Sequence, residues 1–121
     1  MIDFSHASKY SKALKALSDL NRIKILELLF RNEMCVTELV KTLNLDQPKV
    51  SHHLAILKRA GVILDRRQGR KIIYSLHPGV HREPSDLVDR IDFGYCSVEF
   101  KRRADYRKER EMVGEGEAAS G

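Results

Sequence analysis

The sequence has few of the features that mark secreted, membrane-spanning or disulfide-stabilised proteins. Only two of its 121 residues are cysteines, Cys35 and Cys96, and two thiols do not make a disulfide framework or the CxxC pairs of a structural zinc site. No apolar run approaches the roughly 20 residues that a membrane span needs. The first residues, MIDFSHASKY, lack the charged and then apolar pattern of a signal peptide. We therefore expect a cytoplasmic protein.

The signatures of common enzyme sites are missing as well. The sequence shows no nucleophile paired with a base, no glycine-rich phosphate loop and no paired carboxylates. It has no internal repeat. A chain of 121 residues is long enough for one domain with a modest core. We therefore expect a binding protein and not an enzyme.

The positive charge is concentrated in one stretch. The net charge is +5 and the isoelectric point is near 9.4, which favours a polyanionic partner only weakly. Between Gln47 and Ser75, however, the only acid is Asp65, so the stretch carries +6. An ordinary solvated face, which is the alternative, mixes its signs as the first 46 residues do. The seven basic residues of the stretch are Lys49, Lys58, Arg59, Arg66, Arg67, Arg70 and Lys71.

Apolar residues at helical spacing predict two helices in the first third of the chain. The first covers residues 5 to 17, with Ser5 as a capping residue. The second lies in SDLNRIKILELLF, and Ser18 or Asp19 could cap it. The expected apolar positions are Ala13, Leu14, Ala16 and Leu17 in the first helix and Leu20, Ile23, Leu26 or Leu28, and Phe30 in the second.

The middle of the chain predicts a short extended segment, EMCV, followed by two more helices. The first of these begins at Thr37, whose hydroxyl could cap it, and Asn44 ends it in a left-handed conformation. The second begins after Asp46 as a capping residue, tolerates Pro48 in its first turn and runs to about Arg59. The side chains expected to face inward from the shorter helix are those of Leu39, Val40 and Leu43.

Two strands and a tight turn are predicted in VILDRRQGRKIIYSL, with Gly69 supplying the positive φ of the turn. Pro78, Gly79 and Pro84 interrupt regular structure. Residues 85 to 91 could form one or two helical turns, whereas RIDFGYCSVEF alternates more like a strand. The segment GEGEAASG has the composition of a disordered tail.

This order of elements predicts an α+β fold, mainly α, of the winged helix-turn-helix type with a two-stranded β wing. Residues 1–77 would form the DNA-binding domain. Residues 78–100 would form a C-terminal extension that could serve in dimerisation, and residues 101–121 a charged, disordered tail.

The segment EMCVTELVKTLNLDQPKVSHHLAILKRAGVILDRRQGRKIIYSL resembles the winged helix-turn-helix repressors of the ArsR/SmtB family. The resemblance covers about residues 8 to 77 and is carried above all by QPKVSHHL and LKRAGVI. It implies a homodimeric transcriptional repressor that binds double-stranded DNA with an imperfect inverted repeat. In this family the terminal elements pair, so residues 5 to 17 and the region after residue 77 would form the dimer surfaces.

The adjacent histidines His52 and His53 are predicted to differ in role. At about 100° per residue, Val50, Leu54 and Leu57 form the core side of their helix. His52 then faces outward and can meet a base edge or a phosphate. His53 flanks the core as a packed histidine, and the rings diverge too far to share a metal ion.

The recognition helix and the wing supply the predicted DNA contacts. Residues near the start of a recognition helix enter the major groove, where glutamine pairs with adenine and lysine with guanine. Wing cations clamp phosphates or enter the minor groove, which gives affinity more than sequence choice. The expected DNA-binding residues are Gln47, Lys49, Ser51 and His52 on the helix and Arg66, Arg67, Arg70 and Lys71 on the wing.

The ligand sets of known sensors in this family are incomplete in this sequence. Cys35 matches the first position of the metalloid-binding Cys-x-Cys, but Thr37 stands at the second. The zinc type needs histidines after Asp86 and Asp89, and none follows them.

Three hypotheses for the thiols stay open. Cys35 and Cys96 could form a redox or sulfur switch, could hold a metalloid or metal ion, or could be ordinary buried cysteines. No cofactor is certain, and the identity of any metal is unknown. The alternative to a repressor is a winged-helix protein-interaction module that does not bind DNA.

Overall fold

The structure is a computed structural model, and it describes residues 1–101. By its internal contacts the chain divides into two compact units. The first unit spans Met1–Val80, and the second begins at His81. Each unit is described separately below.

Four helices build the first unit. They are α1 (Ala7–Leu17), α2 (Leu20–Arg31), α3 (Val36–Leu43) and α4 (Gln47–Arg59). The predicted number and order of helices are confirmed. The predicted left-handed end of α3 is also confirmed, because Asn44 has a φ of 54° and a ψ of 46°.

The helix starts confirm one of the capping predictions and correct three. Asp19 does cap α2, since its carboxylate accepts the backbone N–H groups of Asn21 and Arg22. The Ser5 prediction is wrong, because α1 begins at Ala7 and the Ser5 hydroxyl donates to the Asp3 carboxylate instead.

The prediction for Thr37 is wrong in the same way. Helix α3 is preceded by Cys35, whose backbone N–H donates to Glu38 Oε1 over 3.1 Å. Asp46 occupies the position before α4, but its side chain makes no capping hydrogen bond there.

A three-stranded antiparallel sheet completes the first unit. Its strands are β1 (Met34–Cys35), β2 (Ile63–Gln68) and β3 (Lys71–Leu76), in the order β1-β3-β2. The hairpin β2-β3 is the predicted wing, and Gly69 in its turn has a φ of 64°. Pairing of Cys35 with Ile73 ties the chain before α3 to this hairpin. The predicted winged helix-turn-helix fold is confirmed.

The core of the first unit is formed mainly by the helices. Leu14 and Leu20 were expected on the apolar faces but are 48% and 69% exposed. Leu64 also points outward, while its neighbour Ile63 is buried. The fully buried side chains include Ile25, Leu26, Leu39, Val50, Leu54, Leu57 and Ile63.

The second unit contains an antiparallel sheet of three strands in sequence order. These are β4 (His81–Glu83), β5 (Val88–Asp92) and β6 (Ser97–Lys101). The helical turns predicted at residues 85 to 91 are wrong, because most of that segment is β5. The strand expected from RIDFGYCSVEF is broken by a turn in which the Phe93 N–H donates to the Cys96 carbonyl. Gly94, with a φ of 91°, allows that turn.

The structure bears only in part on the predicted C-terminal tail and on the predicted lack of a membrane span. Lys101 ends β6, and the predicted disordered tail otherwise lies outside the described residues. Within residues 1–101, no helix combines the length and the apolarity that crossing a membrane requires.

Candidate nucleic-acid interface

Helix α4 presents two chemically different faces. Val50, Leu54 and Leu57 are at most 1% exposed and form the predicted core side. The opposite face is polar and open to solvent. Its exposed members include all four recognition-helix residues expected from the sequence, which are Gln47, Lys49, Ser51 and His52.

The first turn of α4 is exposed to solvent and follows directly on the turn that connects it to α3. Helix α3 packs against α4, and residues 44 to 46 connect them. Lys49 Nζ lies 3.6 Å from Asp46 Oδ1, and both side chains are more than half exposed. An exposed pair of this kind is weak, so Lys49 is free to exchange its carboxylate partner for a phosphate.

The two histidines have the separate environments that helical geometry predicts. His52 is exposed, whereas the side chain of His53 is only 13% exposed. Arg22 Nη1 lies 3.1 Å from His53 Nδ1. Because an arginine only donates, Nδ1 is the acceptor and the ring is neutral. His53 is thus a packed residue that joins α4 to α2.

Burial of the His53 ring lowers its pKa below the usual 6.5, and the nearby charge of Arg22 lowers it further. Asp19 Oδ1, 3.9 Å from Nδ1, opposes this shift and raises the pKa. A histidine held neutral in the folded state binds its proton more readily in the unfolded chain. The stability that it contributes is therefore present above pH 6.5 and is lost as the pH falls toward the folded-state pKa.

This predicts a pH dependence that can be measured on one variant. Between about pH 7 and about pH 5, thermal unfolding of the parent should shift to lower temperature by more than that of His53→Gln. The glutamine oxygen can still accept from Arg22, but it does not titrate. The pKa values of Asp19 and Glu38 are lowered from 3.8 and 4.5, so these groups titrate below this range. Equal shifts in both proteins would contradict the assignment.

The wing carries its free positive charge at the tip. Arg70 and Lys71 are exposed beside Gly69, and Arg67 Nε donates to the Gly69 carbonyl over 3.2 Å. That bond leaves the terminal nitrogens of Arg67 available. The tip therefore presents three cations to an approaching polyanion.

Arg66 is engaged by a carboxylate that the sequence reading did not connect with the wing. Its guanidinium makes two hydrogen bonds of 2.8 Å to the Glu33 carboxylate, and the pairing lowers the pKa of Glu33. Lys58 is likewise 2.9 Å from Asp65. The two ion pairs neutralise Arg66 and Lys58. The positive field around the wing is therefore weaker than the charge of +6 in the sequence suggests. Glu33 and Arg66 are 33 residues apart, so no local pattern signals their contact.

The two cysteines lie in different units. Cys35 is buried at the junction of β1 and α3, whereas Cys96 is half-buried in the turn before β6. Burial raises the pKa of the Cys96 thiol, and the carboxylate of Asp92 raises it further. A raised pKa lowers the thiolate fraction and with it the nucleophilicity of the sulfur. Both cysteines are free thiols.

Metal-binding groups are not assembled in the described part of the chain. Residues 1–101 contain no cluster of three or more histidine, cysteine, aspartate or glutamate side chains with metal-binding geometry. The ring of His77 accepts the Gly79 N–H at Nδ1 over 2.9 Å.

Comparison with known proteins adds independent information about this interface. Residues 19–64 match the family described as "Bacterial regulatory protein, arsR family". An arsenic resistance transcriptional regulator of Pseudomonas putida is 48% identical over 67 residues, which are 54% of this chain and 52% of that protein. The transcriptional repressor SdpR of Bacillus subtilis is 44% identical over 70 residues, covering 58% of this chain and 78% of SdpR. Thus the chain spans about half the length of the first relative and over three quarters of the second.

The fold is similar to that of a solved domain from Mycobacterium bovis. That structure is described as the homodimeric winged helix-turn-helix DNA-binding domain of a possible ArsR-family transcriptional regulator. The TM-score is 0.58 at 27% identity, over 63% of this chain and 72% of the other.

Proposed function

Because the chain belongs to the arsR family of bacterial regulatory proteins, we propose that it is a cytoplasmic, homodimeric transcriptional repressor that binds double-stranded DNA. The observation that carries the proposal is the pairing, within one unit, of an exposed polar face on α4 with a cationic wing tip. The named relatives support the same reading, since they are regulators of transcription.

In the proposed complex, α4 enters the major groove with its first turns. Gln47 pairs with adenine, and Lys49 reaches guanine or a phosphate. Ser51 and His52 make the shorter contacts beside them. On the wing, the cations bind phosphates and fix the position of the protein without reading sequence. Arg66 is paired with Glu33. It can bind a phosphate only if its guanidinium contacts both Glu33 and the phosphate, or if the pair with Glu33 breaks.

Dimerisation is proposed to use the outer face of α1. Tyr10 and Leu14 on this face are 39% and 48% exposed, and with Ala7 and Ser11 they line a shallow apolar depression. An exposed apolar patch favours association with a partner surface. The homodimeric M. bovis domain supports dimerisation itself. A twofold dimer presents two copies of α4, so the operator should be an imperfect inverted repeat.

Selection from a random double-stranded DNA library tests this function. The full chain should enrich a motif with two inverted half-sites about one helical turn apart. The matched control is the double variant Gln47→Ala/His52→Ala, which should enrich a motif without base preference at two positions of each half-site. Enrichment of a single asymmetric half-site would contradict the dimeric mode. Failure to enrich any DNA would favour the protein-interaction module.

For the effector, we propose that a thiol-reactive agent acts through Cys35 and Cys96. It is either an oxidant or a polysulfide, which is itself reduced as it joins the two sulfurs, or a bound metalloid or metal ion. Cys35 lies directly before α3, where a small displacement would shift the helix-turn-helix. Thr37 cannot replace a missing thiolate, so a strong soft-metal site at Cys35 would have to recruit Cys96 from the same or the other subunit. Arsenic resistance regulators among the relatives support the metalloid form of this proposal.

The two cysteines should therefore be needed together for induction. We expect Cys35→Ser and Cys96→Ser to bind operator DNA as the parent does, but to lose release by an oxidant, by polysulfide or by As(III). Fluorescence anisotropy of labelled operator DNA, titrated with each agent, measures this. If both variants respond like the parent, the cysteines are ordinary buried residues. Loss of the response in Cys35→Ser alone would rule out the pairing.

A further inference from the structure

An open pocket of about 390 Å³ lies on the side of the first unit, where α1, the start of α2 and the end of α4 meet. Its wall is cationic, and none of the residues that line it is acidic. Ala16 and Ile56 provide an apolar floor. The four cations come from three helices and are Lys12, Lys15, Arg22 and Arg59.

Arg22 is the fixed element of this pocket. Its Nε donates to the Ala16 carbonyl, and its Nη1 donates to His53 Nδ1. These two bonds hold the plane of the guanidinium while Nη2 keeps its protons for another acceptor. The nearby Asp19 carboxylate accepts backbone N–H groups at the start of α2. Arg22 is therefore preorganised to donate to a ligand.

The other three cations are adaptable. Arg59 Nε reaches the Ala55 carbonyl at 3.4 Å, a long bond that a better acceptor can replace. Lys12 and Lys15 project from exposed positions on α1. Lysine supplies a mobile point charge, whereas arginine supplies a planar fork that matches phosphate. The set combines one fixed donor with mobile charges that can close over an anion.

The pocket is separate from the proposed DNA interface. Arg59 is 12 residues after Gln47 in the same helix, which places the two about 18 Å apart along the helix axis. The start of the helix enters the groove in the proposed complex. Arg59 at the other end is therefore not used for base reading, although it belongs to the basic stretch of the sequence.

We propose that this pocket binds a small phosphate dianion. Several cations without a lining carboxylate favour a ligand with at least two negative charges, and the arginines favour phosphate geometry. The volume lies within the range of small-molecule sites. It leaves room for an organic group on the apolar floor, as in a phosphate monoester.

An NMR titration of the full, ¹⁵N-labelled chain tests the proposal without any DNA. Glycerol 3-phosphate should cause saturating shifts at the amides of Ala16, Arg22 and Ile56. Glycerol, and NaCl at equal ionic strength, should not. A titration with inorganic phosphate distinguishes a phosphate monoester from free phosphate as the ligand. Tighter binding of the ester would place its organic group on the apolar floor, and equal binding would identify free phosphate as the ligand. Shifts confined to the wing around Gly69, or equal shifts with glycerol, would overturn the site.

Two variants locate the binding to these cations. Arg59→Gln and Lys12→Gln should each weaken binding of glycerol 3-phosphate about tenfold, as expected for loss of a charged hydrogen bond. Both positions are exposed, so the variants should stay folded and give well-dispersed spectra. Lys24→Gln is the matched control, because Lys24 is exposed on α2 but does not line the pocket. Binding that is unchanged in both pocket variants would refute the assignment.

Discussion

Raising the salt concentration from about 50 to about 200 mM should weaken operator binding about ten-thousandfold. The proposed DNA interface contains four exposed cations in each subunit and eight in the proposed dimer. They are Lys49, Arg67, Arg70 and Lys71. Each neutralised phosphate releases condensed counterions, so the logarithm of the binding constant should fall with the logarithm of salt at a slope of about −7. Fluorescence anisotropy at several salt concentrations gives this slope.

The Arg66–Glu33 pair provides a sharp variant for this measurement. Glu33→Gln removes the charge that neutralises Arg66, so it should strengthen binding and steepen the slope by about 2 in the dimer. The control is Glu27→Gln, which removes an equal charge from α2 and leaves the Arg66–Glu33 pair in place. A slope near zero for the parent would exclude this electrostatic mode. A Glu33→Gln slope equal to that of the parent would mean that Arg66 does not reach the DNA.

Gln47→Ala should relax base preference at one position of each half-site, whereas Arg70→Ala should weaken all sequences alike. The difference follows from placement, because Gln47 opens the recognition helix and Arg70 lies at the wing tip. A bidentate pair with a base is worth about 1–3 kcal/mol of discrimination. The ratio of affinities for the preferred and the substituted base should fall by about tenfold or more.

Competition binding with single-base operator variants measures both effects. His52→Ala should behave like Gln47→Ala at a neighbouring position, and Lys24→Ala, on an exposed part of α2, should change neither affinity nor preference. The docking would be falsified by an Arg70→Ala protein that loses preference at a single base while Gln47→Ala keeps it.

The C-terminal unit shows where prediction from sequence fails. Strand β4 was not expected, and residues 85 to 91 were assigned to helical turns, so β5 was expected as a strand only over its last three residues. A strand of three residues such as His81–Glu83 has too few positions to show alternation. Its extended state depends on hydrogen bonds to β5, which come from another part of the chain. The turn at Gly94 divides what reads as a single alternating segment.

The sequence by itself determined the features that repeat over short distances. The four helices, the wing turn at Gly69 and the core stripe of Val50, Leu54 and Leu57 follow from periodicity and from glycine and asparagine conformations. These signals lie within a few residues of one another. The outward direction of His52 follows from the same helical geometry.

Only the tertiary structure decided which charged groups are free. Arg66 pairs with Glu33, which lies 33 residues away in the sequence. His53 accepts a hydrogen bond from Arg22, which lies 31 residues away. Packing of α1, α2 and α4 also gathers Lys12, Arg22 and Arg59 around one pocket. Such contacts depend on how the elements pack, because side chains far apart in the chain meet only when the helices and strands enclose a common core.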